Sequence, residues 1–291
     1  MANLNLEEKI ISLVLKSLDE DLIFHNISSS SYLVMKEILI NTVDSLYDKS
    51  KNGKFHFSVF GDVEVPYVSF GNINTKHLFG IDELIIFTYY NLQKNNYNTV
   101  LDFGANIGLH SLIMSKCFSH VHSFEPDDFH YKILSNTIKD NKCSNVTLHK
   151  EAISSFDGHV EFTRVKGNTT GSHISGSKEL VYGDIEKFDV PCLSLESIIK
   201  MYNPDFIKMD VEGQERNILT NTSIKYFENL DLMVEVGSID NAVGIYEYFK
   251  DTDIKLFSQK NGWKQVRAIS EMPTSHKEGS LFISKKEMKW K

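Results

Sequence analysis

The sequence predicts an α/β fold: a doubly wound, mostly parallel β-sheet with an antiparallel edge strand, preceded by a small helical and β-hairpin module. From about residue 96 onward, short apolar runs alternate with helical stretches, which is typical of β-α-β units. The last two apolar runs have no helix between them, so we expect them to pair antiparallel at the sheet's edge. Residues 1–95 lack this alternation, so we divide the chain into an N-terminal module, 1–95, and a ligand-binding domain, 96–291.

The N-terminal module is predicted to contain three helices and a hairpin. Apolar residues at helical spacing place one helix at residues 5–18 and a second at residues 30–48. The runs "KFHFSVF" and "VEVPYVSF" alternate apolar and polar residues, and Gly61-Asp62 between them predicts the hairpin turn. The aromatic-rich stretch "NTKHLFGIDELIIFTYYNLQKNN" is predicted to form the third helix.

The composition excludes several classes of partner. A net charge of −8 argues against nucleic acid, because phosphate binding favours a basic surface. Cys117, Cys143 and Cys192 show no C-x-x-C spacing, which suits a reducing compartment. The first residues have no signal-peptide pattern, and no apolar run is long enough to span a membrane. We therefore expect a cytoplasmic protein whose partner is neither nucleic acid nor a membrane.

The stretch "TVLDFGANIGLHSLIMSKCFSHVHSFEP" carries the pattern of a nucleoside site. Gly104 follows a predicted strand, where it allows a sharp bend and the close approach of a ligand. Glu125 comes 21 residues later, at the end of the next strand, where its carboxylate can accept two hydrogen bonds from a ribose. The alternative is that Gly104 and Gly108 merely form a tight β-α turn.

The spacing of the glycines favours one cofactor over another. A dinucleotide site requires G-x-G-x-x-G, so that the backbone can approach a pyrophosphate. Here Asn106 occupies the place of the middle glycine. A cofactor with adenosine but no phosphate therefore fits better, and we expect S-adenosylmethionine, with S-adenosylhomocysteine as its product. An NAD-dependent oxidoreductase is the alternative.

A second group of charged residues lies in "FIKMDVEGQE". Lys208, Asp210 and Glu212 point to one face of the predicted strand, at the end that opens into the ligand crevice. The next strand ends in Glu235 at a similar height. Carboxylates placed together can supply a general base or bind a divalent cation, and we predict no metal site. In the structural alternative, Asp210 or Glu212 caps the following helix.

The segment 154–186 is long and polar for a connection. We expect it to form a loop above the crevice and to contact the substrate. His173 lies in this segment, and it is a candidate general base. An ordinary surface histidine is the alternative.

Four segments occur in the order and spacing of the FkbM family of S-adenosylmethionine-dependent methyltransferases: "VLDFGANIG", "VHSFEP", "HKEAISSFDG" and "FIKMDVEGQERNIL". The resemblance covers roughly residues 98–240. It implies a Rossmann-like class I methyltransferase fold, with residues 96–291 as the S-adenosylmethionine-binding domain. It also implies these contacts: Asp102, Gly104, Ala105, Asn106 and Gly108 at the methionine end, Glu125 at the ribose, Glu151 and Ala152 beside the adenine, and Asp210 facing the reacting centre.

The leading hypothesis is therefore O-methylation of a sugar, glycan or other small molecule, as the resemblance implies. Asp210 or Glu212 would act as the base, with His173 in reserve. A hypothesis from another class is a catalytically silent nucleoside-binding or scaffold protein. The N-terminal module would serve either homodimerisation or recognition of the acceptor, and the sequence does not separate these two roles.

Overall fold

The computed structural model describes residues 4–50, 53–177 and 184–290. Its helices are α1 (Leu6–Glu20), α2 (Ser30–Lys49), α3 (Ile81–Gln93), α4 (Leu109–Cys117), α5 (Asp128–Asp140), α6 (Leu195–Tyr202), α7 (Glu215–Thr220) and α8 (Ile239–Phe249). Its strands are β1 (Lys54–Phe57), β2 (Gly61–Glu64), β3 (Thr99–Phe103), β4 (His120–Phe124), β5 (Val146–His149), β6 (Ala152–Ser154), β7 (Gly158–Val165), β8 (His173–Ile174), β9 (Ile185–Ser194), β10 (Phe206–Met209), β11 (Asp231–Glu235), β12 (Lys255–Ser258), β13 (Lys264–Gln265) and β14 (Ser280–Ser284). Within these ranges no helix has the length and apolar character needed to cross a membrane.

Eight strands of the described chain form the central sheet, in the order β13-β12-β14-β11-β10-β3-β4-β5. The strands from β5 to β11 in this order are mutually parallel. β14 runs antiparallel to both β11 and β12. The predicted doubly wound, mostly parallel sheet is confirmed, and so is the antiparallel pairing of the last two apolar runs. Because β3 lies between β4 and β10, the strand order reverses there, and the crevice opens at the carboxyl ends of these strands.

The N-terminal module shares its hydrophobic core with the sheet. Leu18 and Leu46 from α1 and α2 belong to the same buried cluster as Val100 of β3. Tyr89 and Tyr90 of α3 are both buried and pack against the ring of Phe206 in β10. The apolar packing is therefore continuous across residue 95, and the predicted domain boundary stays a prediction.

Two details of the N-terminal module differ from the prediction. Gly61 does not lie in the hairpin turn, because it pairs with Phe57 as the first residue of β2. Residues 58–60 form the turn, and the positive φ of Gly61, 77°, is what a three-residue hairpin loop requires of the residue that follows it. The aromatic helix begins only at Ile81, because a separate 3-10 turn at Thr75–Leu78 and the extended Gly80 precede it.

The segment 154–186 is not the loop that we expected. It contributes β7, β8 and the first residues of β9 to a second sheet, in the order β6-β9-β7-β8. β7 and β9 pair antiparallel along their length, from Gly158 opposite Cys192 to Val165 opposite Ile185. Residues 178–183 of the expected loop lie outside the described residues. The prediction failed because β7 reads "GHVEFTRV", in which His159, Glu161 and Thr163 place three polar side chains on one face and Arg164 interrupts the apolar residues of the other.

The outer surface of α2 exposes several large apolar side chains: Leu33, Val34, Ile38 and Ile40. A surface of this kind is compatible with association of two chains. Homodimerisation through the N-terminal module stays a prediction.

Candidate active site

A cavity of about 60 Å³ lies at the carboxyl ends of β3, β4 and β10. Its walls combine carboxyl groups with aromatic and aliphatic side chains, and they include Gly104, Asn106, Phe124, Glu125, Glu151, Ala152, Ile153, Phe162, Thr170, Asp210 and Glu212. The second sheet supplies Phe162, so the segment 154–186 does reach the crevice, although as a strand.

The glycine turn after β3 brings two parts of the site into backbone contact. Gly104 has a φ of 76°, and its N–H, like that of Ala105, donates to the carbonyl oxygen of Phe124. A Cβ at Gly104 would lie 1.8 Å from the carbonyl oxygen of Asp210. Any larger residue would therefore push the turn and Asp210 apart. The turn requires a glycine at this position, and the absence of a side chain lets the backbones of Gly104 and Asp210 lie in contact at the cavity wall.

Glu125 connects the two chain segments that end β3 and β4. Its Oε2 accepts the N–H of Asn106 and its Oε1 accepts the N–H of Asp127, both at 2.9 Å. Burial raises the pKa of Glu125 to about 8, and the charges of Asp127 and Asp102 add to this. A carboxylate offers roughly four lone-pair positions. Two remain after these bonds, which is the number that a ribose diol needs.

The raised pKa of Glu125 predicts that the ligand-free protein loses stability as the pH rises. The folded chain holds this proton up to about pH 8, whereas the pKa of an unfolded glutamate is about 4.5. The stabilisation that this proton provides is therefore complete below the pKa of the unfolded state and is lost as the pH rises through the pKa of the folded state. In thermal melts, the melting temperature should fall as the pH rises from about 4.5 to about 8, and it should fall less steeply for Glu125→Gln. Equal slopes for the two proteins would contradict the assignment.

Glu151 presents a buried oxygen to the other end of the cavity. Its Oε2 has no hydrogen-bond partner among the described residues, and burial raises its pKa. Ala152 and Ile153, which begin β6, line the wall beside it. An unpaired acceptor next to an apolar wall fits a flat ligand ring that carries a hydrogen-bond donor.

The turn after β10 is held in an unusual shape. Glu212 has a φ of 55° and Gly213 a φ of 104°, although glutamate rarely adopts this conformation. The carboxylate of Glu215 accepts the N–H groups of Val211 and Gly213, each at 3.1 Å. These two amides of the turn are therefore satisfied by Glu215. Glu212 is left on the wall of the cavity.

A larger cleft of about 740 Å³ lies on the far side of Asp210. The N-terminal module forms one side of it, through α2, the 3-10 turn and the start of α3, and the ends of β10 and β11 form the other side. The cleft and the cavity have four wall residues in common: Asn106, Thr170, Asp210 and Glu212. We call these four residues the shared wall. Molecules bound on its two sides would meet there.

Lys208 is a buried cation beneath the shared wall. Its side chain is 8% exposed, and its Nζ lies 3.4 Å from Oδ2 of Asp210. Burial alone would lower the pKa of Lys208, but four nearby carboxyl groups raise it above its ordinary value: those of Asp210, Asp102, Glu83 and Glu235. The lysine therefore offsets part of a strongly acidic environment at the bottom of the cleft.

A comparison with domain families decides which family the chain represents. The Methyltransferase FkbM domain matches residues 102–262, which is more than half of the chain. The chain belongs to the FkbM methyltransferase family. The recognition made from the sequence motifs is thereby confirmed. A search of curated proteins finds no match for this FkbM-family chain.

Solved structures of methyltransferases resemble this FkbM-family chain at low identity. A methyltransferase FkbM from Methylobacillus flagellatus KT is 16% identical with a TM-score of 0.38, covering 70% of this chain and 54% of that one. This chain thus spans about half the length of that protein. A protein from Streptococcus mutans, crystallised in complex with SAH, is 11% identical with a TM-score of 0.39, covering 68% and 96%. The predicted class I fold is confirmed, and the strand order described above is its direct evidence.

The predicted site residues of the FkbM-family chain occupy several positions. The cavity collects Gly104, Asn106, Glu125, Glu151, Ala152, Asp210 and Glu212. Ala105 lines a smaller neighbouring cavity, and Gly108 is the N-cap of α4. Asp102 is fully buried behind the cavity, where its Oδ2 accepts the hydroxyl of Ser111. The functional roles of all these residues stay predictions.

His173 lies apart from these residues. It is buried in β8, its Nδ1 lies 2.9 Å from the carbonyl oxygen of Gly171, and it pairs across the strands with Thr163. The described walls of the cavity and the cleft do not include it. A role as general base would require His173 to leave this buried position.

Sequence reasoning missed the residues that fix the walls. Arg164 of β7 makes a bidentate ion pair with Asp127, at 2.7 and 2.8 Å, and so ties the second sheet to the segment that follows β4. Glu83 of α3 lies in the cleft, and its Oε2 is 2.6 Å from Nε2 of His110. Neither residue belongs to a local motif, so no sequence signal could have identified it.

The grouping of Asp210, Glu212 and Glu235 also bears on the cation alternative. Among the described residues, no three or more His, Cys, Asp or Glu side chains are arranged to hold a metal ion. The carboxyl groups of Asp210 and Glu235 interact electrostatically with Lys208.

Proposed function

We propose that this FkbM-family protein uses S-adenosylmethionine to methylate a hydroxyl oxygen of a sugar, a glycan or another small molecule. The observation that carries the proposal is the shared wall, where Asn106, Thr170, Asp210 and Glu212 face the cavity and the cleft at once. A transfer reaction needs its two reactants in contact and aligned. A donor in the cavity and an acceptor in the cleft would meet this requirement.

The cavity residues fit the cofactor. Glu125 has two free lone-pair positions for the ribose, and Glu151 has an unpaired oxygen beside an apolar wall for the adenine. Family membership supports the same cofactor, as does the Streptococcus mutans neighbour crystallised with SAH. When bound, S-adenosylmethionine supplies a methyl group on positively charged sulfur, an electrophile that side chains lack.

We assign recognition of the acceptor to the cleft and to the N-terminal module that forms one of its sides. Polar and charged side chains lie on that side next to apolar ones, among them Lys36, Asn74, Lys76 and His77. Such groups suit an acceptor with several hydroxyl groups, because each hydroxyl can both donate and accept. We also propose that the reaction takes place in the cytoplasm, in agreement with the free state of all three cysteines.

The proposal is tested first by binding and then by transfer. Calorimetric titration should show micromolar binding of S-adenosylhomocysteine and no binding of NAD⁺. Labelled S-adenosylmethionine should then pass its methyl group to a member of a panel of monosaccharides and glycans. Binding without transfer to any of them would favour the catalytically silent alternative. Absence of binding in folded protein would refute the proposal, and NAD⁺ binding would favour the oxidoreductase.

The position of Asp210 predicts an effect on transfer rather than on cofactor binding. Asp210→Asn keeps the shape of the side chain but removes the charge that faces the acceptor side. We expect methyl transfer to fall by about tenfold, since a hydrogen bond to a charged group contributes roughly 1.5–3 kcal/mol. Affinity for S-adenosylhomocysteine should stay close to that of the wild type. Unchanged transfer to the acceptor found in the screen would remove Asp210 from the reacting centre.

A further inference from the structure

The cleft contains a carboxyl group that the structure leaves without a hydrogen bond. The other acidic side chains that line the cleft are engaged: Asp44 with Lys76, Asp82 with Tyr32, Glu83 with His110, Asp210 with Lys208, and Glu212 through contacts of its own. Among the described residues, none forms a hydrogen bond or an ion pair with the carboxyl group of Glu235. A polar group kept unpaired in a partly buried position calls for an explanation.

The register of the sheet places Glu235 beside the shared wall. Met209 of β10 pairs with Val234 of β11 in a parallel arrangement. The next residue of each strand, Asp210 and Glu235, therefore stands at the same level at the carboxyl edge. Glu235 lines the cleft but not the cavity, so it lies on the acceptor's side.

The surroundings of Glu235 make it more basic than an ordinary glutamate. Burial raises its pKa well above the usual value, and the charges of Asp210, Glu83 and Glu212 raise it further. The positive charge of Lys208 acts in the opposite direction and lowers the pKa. A general base works best when its pKa lies near the operating pH. Asp210, whose Oδ2 lies 3.4 Å from Nζ of Lys208, is by contrast suited to orient the acceptor.

We propose that Glu235 is the base that takes the proton of the acceptor's hydroxyl group. This inference rests on the proposed methyl transfer. The acceptor oxygen forms the new carbon–oxygen bond with a lone pair, while the electrons of the carbon–sulfur bond stay on sulfur. The oxygen–hydrogen bond breaks, and the proton passes to a carboxylate oxygen of Glu235. The role of base, which the sequence suggested for Asp210 or Glu212, is thus assigned to Glu235.

The test compares two ligands that differ by one positive charge. S-adenosylmethionine carries a charged sulfur, whereas S-adenosylhomocysteine is otherwise nearly the same molecule and lacks this charge. A cation at the shared wall lowers the pKa of Glu235, so its proton should be released. Calorimetry at neutral pH in phosphate and in Tris, which differ in ionisation enthalpy, measures the number of protons released. We expect the wild type to release more protons with the charged ligand.

Glu235→Gln should abolish this difference between the two ligands. The matched control is Asp82→Asn, because Asp82 is also a buried cleft carboxyl with a raised pKa, but it is bonded to Tyr32. The control should keep the difference. Thermal melts verify folding, and Glu235→Asp, which keeps a carboxyl group, should retain part of the difference.

Two results would overturn the inference alone. One is an equal release of protons for both ligands in the wild type, and the other is an unchanged difference in folded Glu235→Gln. With an acceptor from the screen, wild-type transfer should rise with pH through the pKa of Glu235, and transfer by Glu235→Gln should be slow and independent of pH. An unchanged pH profile in this variant would also overturn it. Failure of both ligands to bind would instead refute the proposed function itself.

Discussion

Replacing Glu125 with alanine is expected to weaken binding of S-adenosylhomocysteine by about a hundredfold or more. Two hydrogen bonds from the ribose to a carboxylate contribute roughly 1.5–3 kcal/mol each, and 1.4 kcal/mol corresponds to about a tenfold change in affinity. The substitution also removes the acceptor of the N–H groups of Asn106 and Asp127. The glycine turn then loses its connection to the segment after β4. Calorimetric titration of the purified variant measures the loss.

A matched control for this experiment is Glu151→Ala. Glu151 lines the same cavity, but no backbone N–H of the described residues donates to its Oε2. We expect a loss of affinity of about tenfold, the effect of one hydrogen bond, with little change in melting temperature. If folded Glu125→Ala bound S-adenosylhomocysteine as well as this control does, Glu125 would not be the ribose ligand.

Lys208→Met is expected to lower the free energy of unfolding by about 3–5 kcal/mol, which is the usual cost of removing one partner from a buried group of charges. The variant leaves Asp102, Asp210, Glu83 and Glu235 close together without their common cation. Urea denaturation at neutral pH measures the loss. The difference from the wild type should shrink in acid, because protonated carboxyl groups no longer repel one another.

The control for this substitution is Lys200→Met. Lys200 is exposed and forms an ion pair with Glu196 one helical turn away, at 2.8 Å. Exposed pairs of this kind contribute about 0.3–0.5 kcal/mol. Equal effects of the two methionine substitutions would show that the buried charges are not coupled through Lys208.

The elements that sequence reasoning predicted well are those whose signals are local. Alternating strands and helices determine the central sheet, and one glycine turn followed by one acid marks the cavity, because Gly104 and Glu125 each follow a strand end directly. The family segment "FIKMDVEGQERNIL" also contains Glu215, whose carboxylate shapes the turn after β10. That role follows from hydrogen bonds within five residues, although it becomes visible only in the structure.

The elements that it missed depend on contacts between distant parts of the chain. β7 is rich in polar residues because its first half is largely exposed, while Arg164 near its end pairs with Asp127. Glu83 lies outside the segments that resemble the FkbM family, and only the folding of α3 against the sheet brings it to Lys208. Contacts between residues that lie far apart in the chain leave no periodic pattern in the sequence.

The close contact between Gly104 and the carbonyl oxygen of Asp210 has a consequence for engineering. In the proposed arrangement, the backbones of Gly104 and Asp210 form the partition between the donor and acceptor sides, so a larger residue at Gly104 would displace Asp210 and alter affinity for both reactants together. Lys36, Ile40 and His77 line the opposite side of the cleft and belong to the N-terminal module. A library that seeks new acceptors should therefore vary these outer positions and leave the partition intact.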